Sequence, residues 1–62
     1  MLQNIIEGLR ILSEYNSDPH VEISEGEIRV TLHPGTQVGD DDLSVLREFG
    51  WRLSEGDWVL WV

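Results

Sequence analysis

Two stretches of the sequence decide the fold: VEISEGEIRV at residues 21–30 and WRLSEGDWVL at residues 51–60. Each stretch places apolar residues at alternate positions on both sides of a central Glu-Gly pair. Such alternation predicts two strands with one apolar face each, and the Glu-Gly pair predicts a two-residue hairpin turn. A two-residue loop sets Ile23 opposite Ile28 and keeps all apolar side chains on one face, whereas a three-residue loop would mix the faces. We therefore predict two β-hairpins with the same register.

An amphipathic helix is predicted before each hairpin, because apolar residues recur there at intervals of three and four. These residues are Leu2, Ile5, Ile6, Leu9, Leu12 and Tyr15 in the first segment and Leu43, Val45, Leu46 and Phe49 in the second. Asp40 is expected to cap the second helix, with Asp41 and Asp42 near the positive end of its dipole. Asn16 and Gly50 are expected to end the two helices in the left-handed conformation.

The two helix–hairpin segments are similar to each other. Residues 9–16 align with residues 43–50, and residues 21–30 align with residues 51–60. Six of these eighteen aligned pairs are identical, and most of the others keep the chemical type, as in Tyr15 and Phe49. We therefore predict an internal duplication of a helix–strand–strand unit.

The chain is predicted to form one α+β domain that spans residues 1–62, since this length allows one domain and no more. The two units cover residues 1–33 and 40–62, and residues 34–39 link them. Their apolar surfaces are buried if a four-stranded antiparallel sheet packs both helices on one face, in the order αββαββ. More than one strand order satisfies this pattern.

The charge balance is strongly acidic, with twelve Asp and Glu against four Arg, no Lys and a net charge of −8. This charge argues against direct binding of nucleic-acid phosphates, which normally needs a basic patch. It also favours a protein adapted to high salt, because salt screens the self-repulsion of a folded acidic chain. In composition, and in no motif, the sequence resembles the small acidic proteins of haloarchaea. The resemblance implies a lineage and no activity.

Size and cysteine content point to self-association. The chain has no cysteine, so disulfides and Cys-bound zinc cannot reinforce a core of this size. Association of two copies would supply the missing burial.

The longest apolar run, residues 58–62, is far shorter than the roughly 20 residues of a membrane span. Glu7 and Arg10 interrupt the apolar residues near the start, which argues against a signal peptide. We predict a cytoplasmic protein without a membrane partner.

The second hairpin differs from the first because its last strand is apolar on both faces. Trp58 and Leu60 are expected to face the helices, so Val59 and Trp61 point the other way. Such a strand is normally buried on both faces. Cover within the monomer and contact with another protein both satisfy this requirement. We predict an interaction surface at Val59, Trp61 and Arg52, with a homodimer as the simplest form because one patch then serves both copies.

No constellation of catalytic residues is present. The chain lacks a cysteine nucleophile, a G-x-S-x-G elbow, a glycine-rich phosphate loop and any lysine. His20 and His33 are interpreted as solvated surface residues, so no metal site is predicted. A cavity of roughly 300 Å³ or more, which a small molecule needs, is not expected in so short a chain. We therefore predict neither an enzyme nor a cofactor nor a small-molecule substrate.

Two classes of function follow. The first is a small protein-interaction or adaptor module from a halophile, which associates with itself through the outer face of the last strand. The alternative is a nucleic-acid-associated regulator or antitoxin-like protein, because aromatic side chains on a sheet face can stack on bases. A small enzyme or ligand carrier ranks behind both.

Overall fold

The structure is a computed structural model and describes residues 2–62. Its elements are α1 (Leu2–Ser13), β1 (His20–Ser24), β2 (Glu27–Thr31), α2 (Asp40–Glu48), β3 (Trp51–Ser54) and β4 (Asp57–Trp61). This is the predicted order of helices and strands. The strands form one antiparallel sheet in the order β1-β2-β4-β3, so β1 and β3 are its edges.

Both hairpins have the predicted register. Ile23 lies opposite Ile28 in the first and Leu53 opposite Trp58 in the second, and each loop contains two residues. The turns nevertheless differ in backbone conformation. In the second, Glu55 and Gly56 both have positive φ, of 53° and 84°, as a type I′ turn requires, whereas in the first turn only the glycine does.

The central pair of strands, β2 and β4, is symmetric with respect to the two units. Ile28 lies opposite Leu60, and Val30 lies opposite Trp58. In the sequence alignment Ile28 is equivalent to Trp58 and Val30 to Leu60, so the pairing is reciprocal. A two-fold relation between the units requires this register. The duplication of an ancestral unit stays a prediction.

The core lies between the two helices and one face of the sheet, which confirms the two-layer α+β fold. Its buried members are Ile11 and Leu12 of α1, Leu46 of α2, and Ile28, Val30, Trp51, Trp58 and Leu60 of the sheet. The five sheet residues belong to three strands and share one face of the paired ladders. Burial of this apolar surface is the main favourable contribution to folding.

Helix α1 packs closely against Trp51. This side chain is completely buried, and its indole Nε1 donates a hydrogen bond to the backbone carbonyl of Asn4 at 2.9 Å. A Cβ atom at Gly8 would overlap the indole ring. The glycine in the middle of the helix therefore lets α1 approach β3.

Two expected helix ends are wrong. Gly39 is the N-cap of α2 and makes no side-chain cap, so Asp40 is the first helical residue; all three aspartates lie in the first turn. Asn16 does not have a positive φ, whereas Gly50 does, at 92°. Asn16 is buried and its amide bonds to backbone groups, a tertiary role that overrides its local preference for the left-handed conformation.

Candidate functional site

The predicted interaction residues Val59, Trp61 and Arg52 lie where the register places them, on the sheet face turned away from the helices. Trp61 is 53% exposed and Arg52 is also exposed. Val59, however, is completely buried. The expectation that Val59 contributes to an exposed surface is therefore wrong.

Arginine side chains explain the burial of Val59. It lies between Arg29 on β2 and Arg52 on β3 in the paired ladders. The Arg29 guanidinium reaches across β4, since its Nη1 donates to the Asp57 carboxylate at 3.2 Å and to the Ser54 carbonyl at 3.5 Å. Arginine stems can cover apolar atoms while the charged group stays near water. Val59 is thus covered within the monomer.

The two arginines on this outer face are already engaged. Hydrogen bonds from Arg29 to the carboxylates of Glu27 and Asp57 raise the pKa of its guanidinium. Arg52 donates to the backbone carbonyls of Arg47 and Trp51, which hold it at the end of α2. Arg29 is consequently not free to bind a phosphate, and Trp61 is left as an isolated exposed ring.

Other exposed apolar side chains belong to α1 and to the edge strand β1. Leu2 and Ile6 of α1 are 69% and 50% exposed, and Val21 and Ile23 of β1 are 41% and 76% exposed. All five residues of the edge strand β1 are exposed. We call the four apolar residues the α1–β1 flank. These four side chains are uncharged, although the chain as a whole has a net charge of −8.

The position of α1 explains why this flank is open. Asn4 and Gly8 of α1 face Trp51 on β3, at the far edge of the sheet. At 100° per residue, Leu2 and Ile6 lie on the other side of the helix, away from Trp51, and both side chains are exposed. The helix thus covers Trp51 at the start of β3, while the helix-facing residues of β1, Val21 and Ile23, remain in water. Sequence alternation placed Val21 and Ile23 on the apolar face and contained no signal for this offset.

A second candidate site is a cleft of about 540 Å³ between the linker and the second hairpin. Residues 32–38, which include most of the linker, form one wall of the cleft. Leu43, Leu53 and Trp58 contribute to the other wall. Ligand pockets have volumes of about 300–1,000 Å³. The expectation that the chain has no cavity of this size is therefore wrong, because the linker and the second hairpin leave a cleft between them.

Two residues that follow α1 hold both ends of the linker. The Asn16 side-chain oxygen accepts a hydrogen bond from the His33 backbone N–H at 2.6 Å. The Tyr15 hydroxyl accepts one from the Gly39 backbone N–H at 2.9 Å and donates to the Asp42 carboxylate. The wall of the cleft is therefore attached to the helical layer at both ends.

The contact between Tyr15 and Asp42 predicts a pH effect. The hydrogen bond to Asp42 is the main cause that raises the pKa of Tyr15 above its ordinary value of 10.0. Because the pKa is higher in the folded state, the contribution to stability is complete below pH 10.0 and is lost as the pH rises through the folded pKa. Absorbance titration of this single tyrosine should therefore give a pKa above 10.0.

Replacement Asp42→Asn should lower that pKa, because the charged acceptor is lost. Asp41→Asn is the matched control, since Asp41 is an exposed residue of the same helical turn. An unchanged tyrosine titration in Asp42→Asn, or an equal change in Asp41→Asn, would contradict the assignment.

Comparison with known proteins finds no relative: no family model, curated protein or solved structure matches the chain.

Across residues 2–62, neither helix combines the length and the apolar character that crossing a bilayer requires. Within the same part of the chain, no three His, Asp or Glu residues are grouped to hold a metal ion. His20 and His33 are both exposed. The candidate sites of this α+β protein are therefore the α1–β1 flank and the cleft.

Proposed function

We propose that this chain is a small protein-interaction module that associates with itself through the α1–β1 flank. The observation that supports the proposal is an edge strand whose apolar side chains, Val21 and Ile23, stand in water on the face of the sheet that carries the core. An edge strand offers unpaired backbone N–H and C=O groups to another strand. Exposed apolar side chains on such a strand are typical of a protein interface.

A second copy fits this edge. If β1 of one copy pairs antiparallel with β1 of the other, the two sheets join into one of eight strands, and apolar flanks meet across a two-fold axis. An axis at Val21 sets His20 of each copy opposite Glu22 of the other. An axis at Glu22 would instead place two glutamates opposite each other, which is unfavourable. Of these two registers, the pairing centred on Val21 is therefore favoured.

We also propose that the module works in the salt-rich cytoplasm of a halophile. Each copy carries a net charge of −8, so two copies repel each other in dilute buffer. At about 1 M salt the screening length is only about 3 Å, and this repulsion is then largely removed. Short-range apolar contact between the flanks can then dominate.

Ile23→Glu is expected to dissociate the dimer. The substitution introduces a charge into the flank of each copy, and sedimentation equilibrium at about 2 M salt should show association at least about one-hundredfold weaker. Position 23 is 76% exposed, so the monomer should still fold, which circular dichroism checks. The wild-type protein should also dimerise more weakly at about 0.1 M salt than at about 2 M salt.

The matched control is Leu53→Glu. Leu53 is the equivalent residue of the second hairpin, is 62% exposed and lies outside the flank, so this variant should dimerise normally. A monomeric wild-type protein at high salt would refute the proposal, as would a dimer that Ile23→Glu leaves intact. Dissociation by Trp61→Ala alone would instead place the interface on the outer sheet face.

A further inference from the structure

We infer that the cleft between the linker and the second hairpin binds an uncharged, mainly apolar small molecule. This site is separate from the α1–β1 flank and does not depend on self-association. Its volume of about 540 Å³ lies within the usual range for ligand pockets. Leu53 and Trp58 both line the cleft, and the Leu53 side chain is exposed to water whereas the Trp58 indole is buried. An apolar occupant would remove such surface from water.

The charge of the lining determines the class of ligand. The chain has twelve acidic residues and four arginines, yet none of these sixteen residues lines the cleft. An anion would enter against the net charge of −8 and would lose its hydration without gaining an arginine or lysine partner. The lining contains one imidazole, that of His33. A cation would find no carboxylate in the wall. Thr36 and Gln37 supply polar groups on the linker side, so the best fit is a neutral molecule with an apolar ring or branched chain.

The cleft is also held open before a ligand arrives. Asn16 holds the start of the linker at His33, and Tyr15 holds its end at Gly39. A third hydrogen bond, from the Thr36 backbone N–H to the His33 carbonyl at 3.1 Å, closes a turn within the linker. A wall fixed in this way reduces the entropy that binding would otherwise lose in ordering the loop.

Two fluorescent probes with the same aromatic rings test the inference. N-phenyl-1-naphthylamine is uncharged, and 1-anilinonaphthalene-8-sulfonate carries a sulfonate. The uncharged probe should bind saturably, with one molecule per chain, and should shift the indole N–H resonance of Trp58 in NMR spectra. The sulfonate should bind at least about tenfold more weakly, because the cleft offers its charge no arginine or lysine and the chain carries a net charge of −8.

Leu53→Glu is expected to weaken binding of the uncharged probe by at least about tenfold, because it places a carboxylate in the wall. The matched control is Ile23→Glu, the same change at the equivalent, exposed position of the first hairpin. This control should bind the probe as the wild type does even though it dissociates the proposed dimer. The two substitutions therefore separate a failure of the cleft from a failure of self-association.

Three results would overturn the inference. These are the absence of saturable binding that shifts the Trp58 resonance, equal binding of the two probes, and an equal loss of affinity in Leu53→Glu and Ile23→Glu. Circular dichroism of both variants at the salt concentration of the titration verifies that each is folded.

Discussion

Gly8→Ala should destabilise the protein by about 1–3 kcal/mol, the usual cost of forcing an extra carbon into a packed core. Helix propensity predicts the opposite sign, since alanine is favoured over glycine by about 1 kcal/mol in a helix interior. The packing effect should dominate because a Cβ at this position overlaps the indole of Trp51, which is completely buried and cannot move into solvent. Denaturant unfolding at high salt measures the difference.

Two further variants isolate the cause. Gln3→Ala changes an exposed residue of the same helix and should alter stability by less than about 0.5 kcal/mol. In a Trp51→Leu background the overlapping ring atoms are gone, so Gly8→Ala should there be neutral or stabilising. If Gly8→Ala costs the same in both backgrounds, overlap with Trp51 is not the reason for the glycine.

Asn16→Ala should also lower stability, by about 1–3 kcal/mol for each buried polar group left without a partner. Asn16 is 9% exposed, accepts a hydrogen bond from the His33 N–H and donates one to the Tyr15 carbonyl, both at 2.6 Å. The same change should release the first end of the linker. Hydrogen exchange of the His33 amide is the direct measurement, and it should become faster relative to the wild type.

Ser17→Ala is the control for that experiment, because Ser17 is the exposed neighbour of Asn16. It should leave both the unfolding free energy and the His33 exchange rate nearly unchanged. Unaltered protection of the His33 amide in Asn16→Ala would show that this hydrogen bond does not hold the linker.

The open α1–β1 flank follows from one asymmetry between the units. Trp51 and Val21 occupy equivalent positions, yet the indole is completely buried under α1 whereas the valine is 41% exposed. The larger side chain and the glycine that accommodates it bring α1 towards β3. The first hairpin consequently has an open apolar flank, and the two-fold relation suggested by the strand register does not extend to the helices.

The sequence alone determined the features that depend on near neighbours along the chain. The register of both hairpins follows from alternation around a two-residue turn, and a one-residue slip would move every apolar side chain to the wrong face. The two helices follow from the spacing of their apolar residues. Gly50 ends α2 with a φ of 92°, as predicted, because few other residues adopt that conformation at low cost.

Only the tertiary structure decided which surfaces remain exposed. Alternation assigns Ile23 and Leu53 to the apolar face, but burial also depends on which strands become edges and where α1 rests. Likewise, Val59 is buried because Arg29 reaches across β4, and the cleft exists because Tyr15 and Asn16 hold the linker. In these contacts the two partners are separated by 17 to 28 positions in the chain. A pattern of near neighbours carries no information about such contacts.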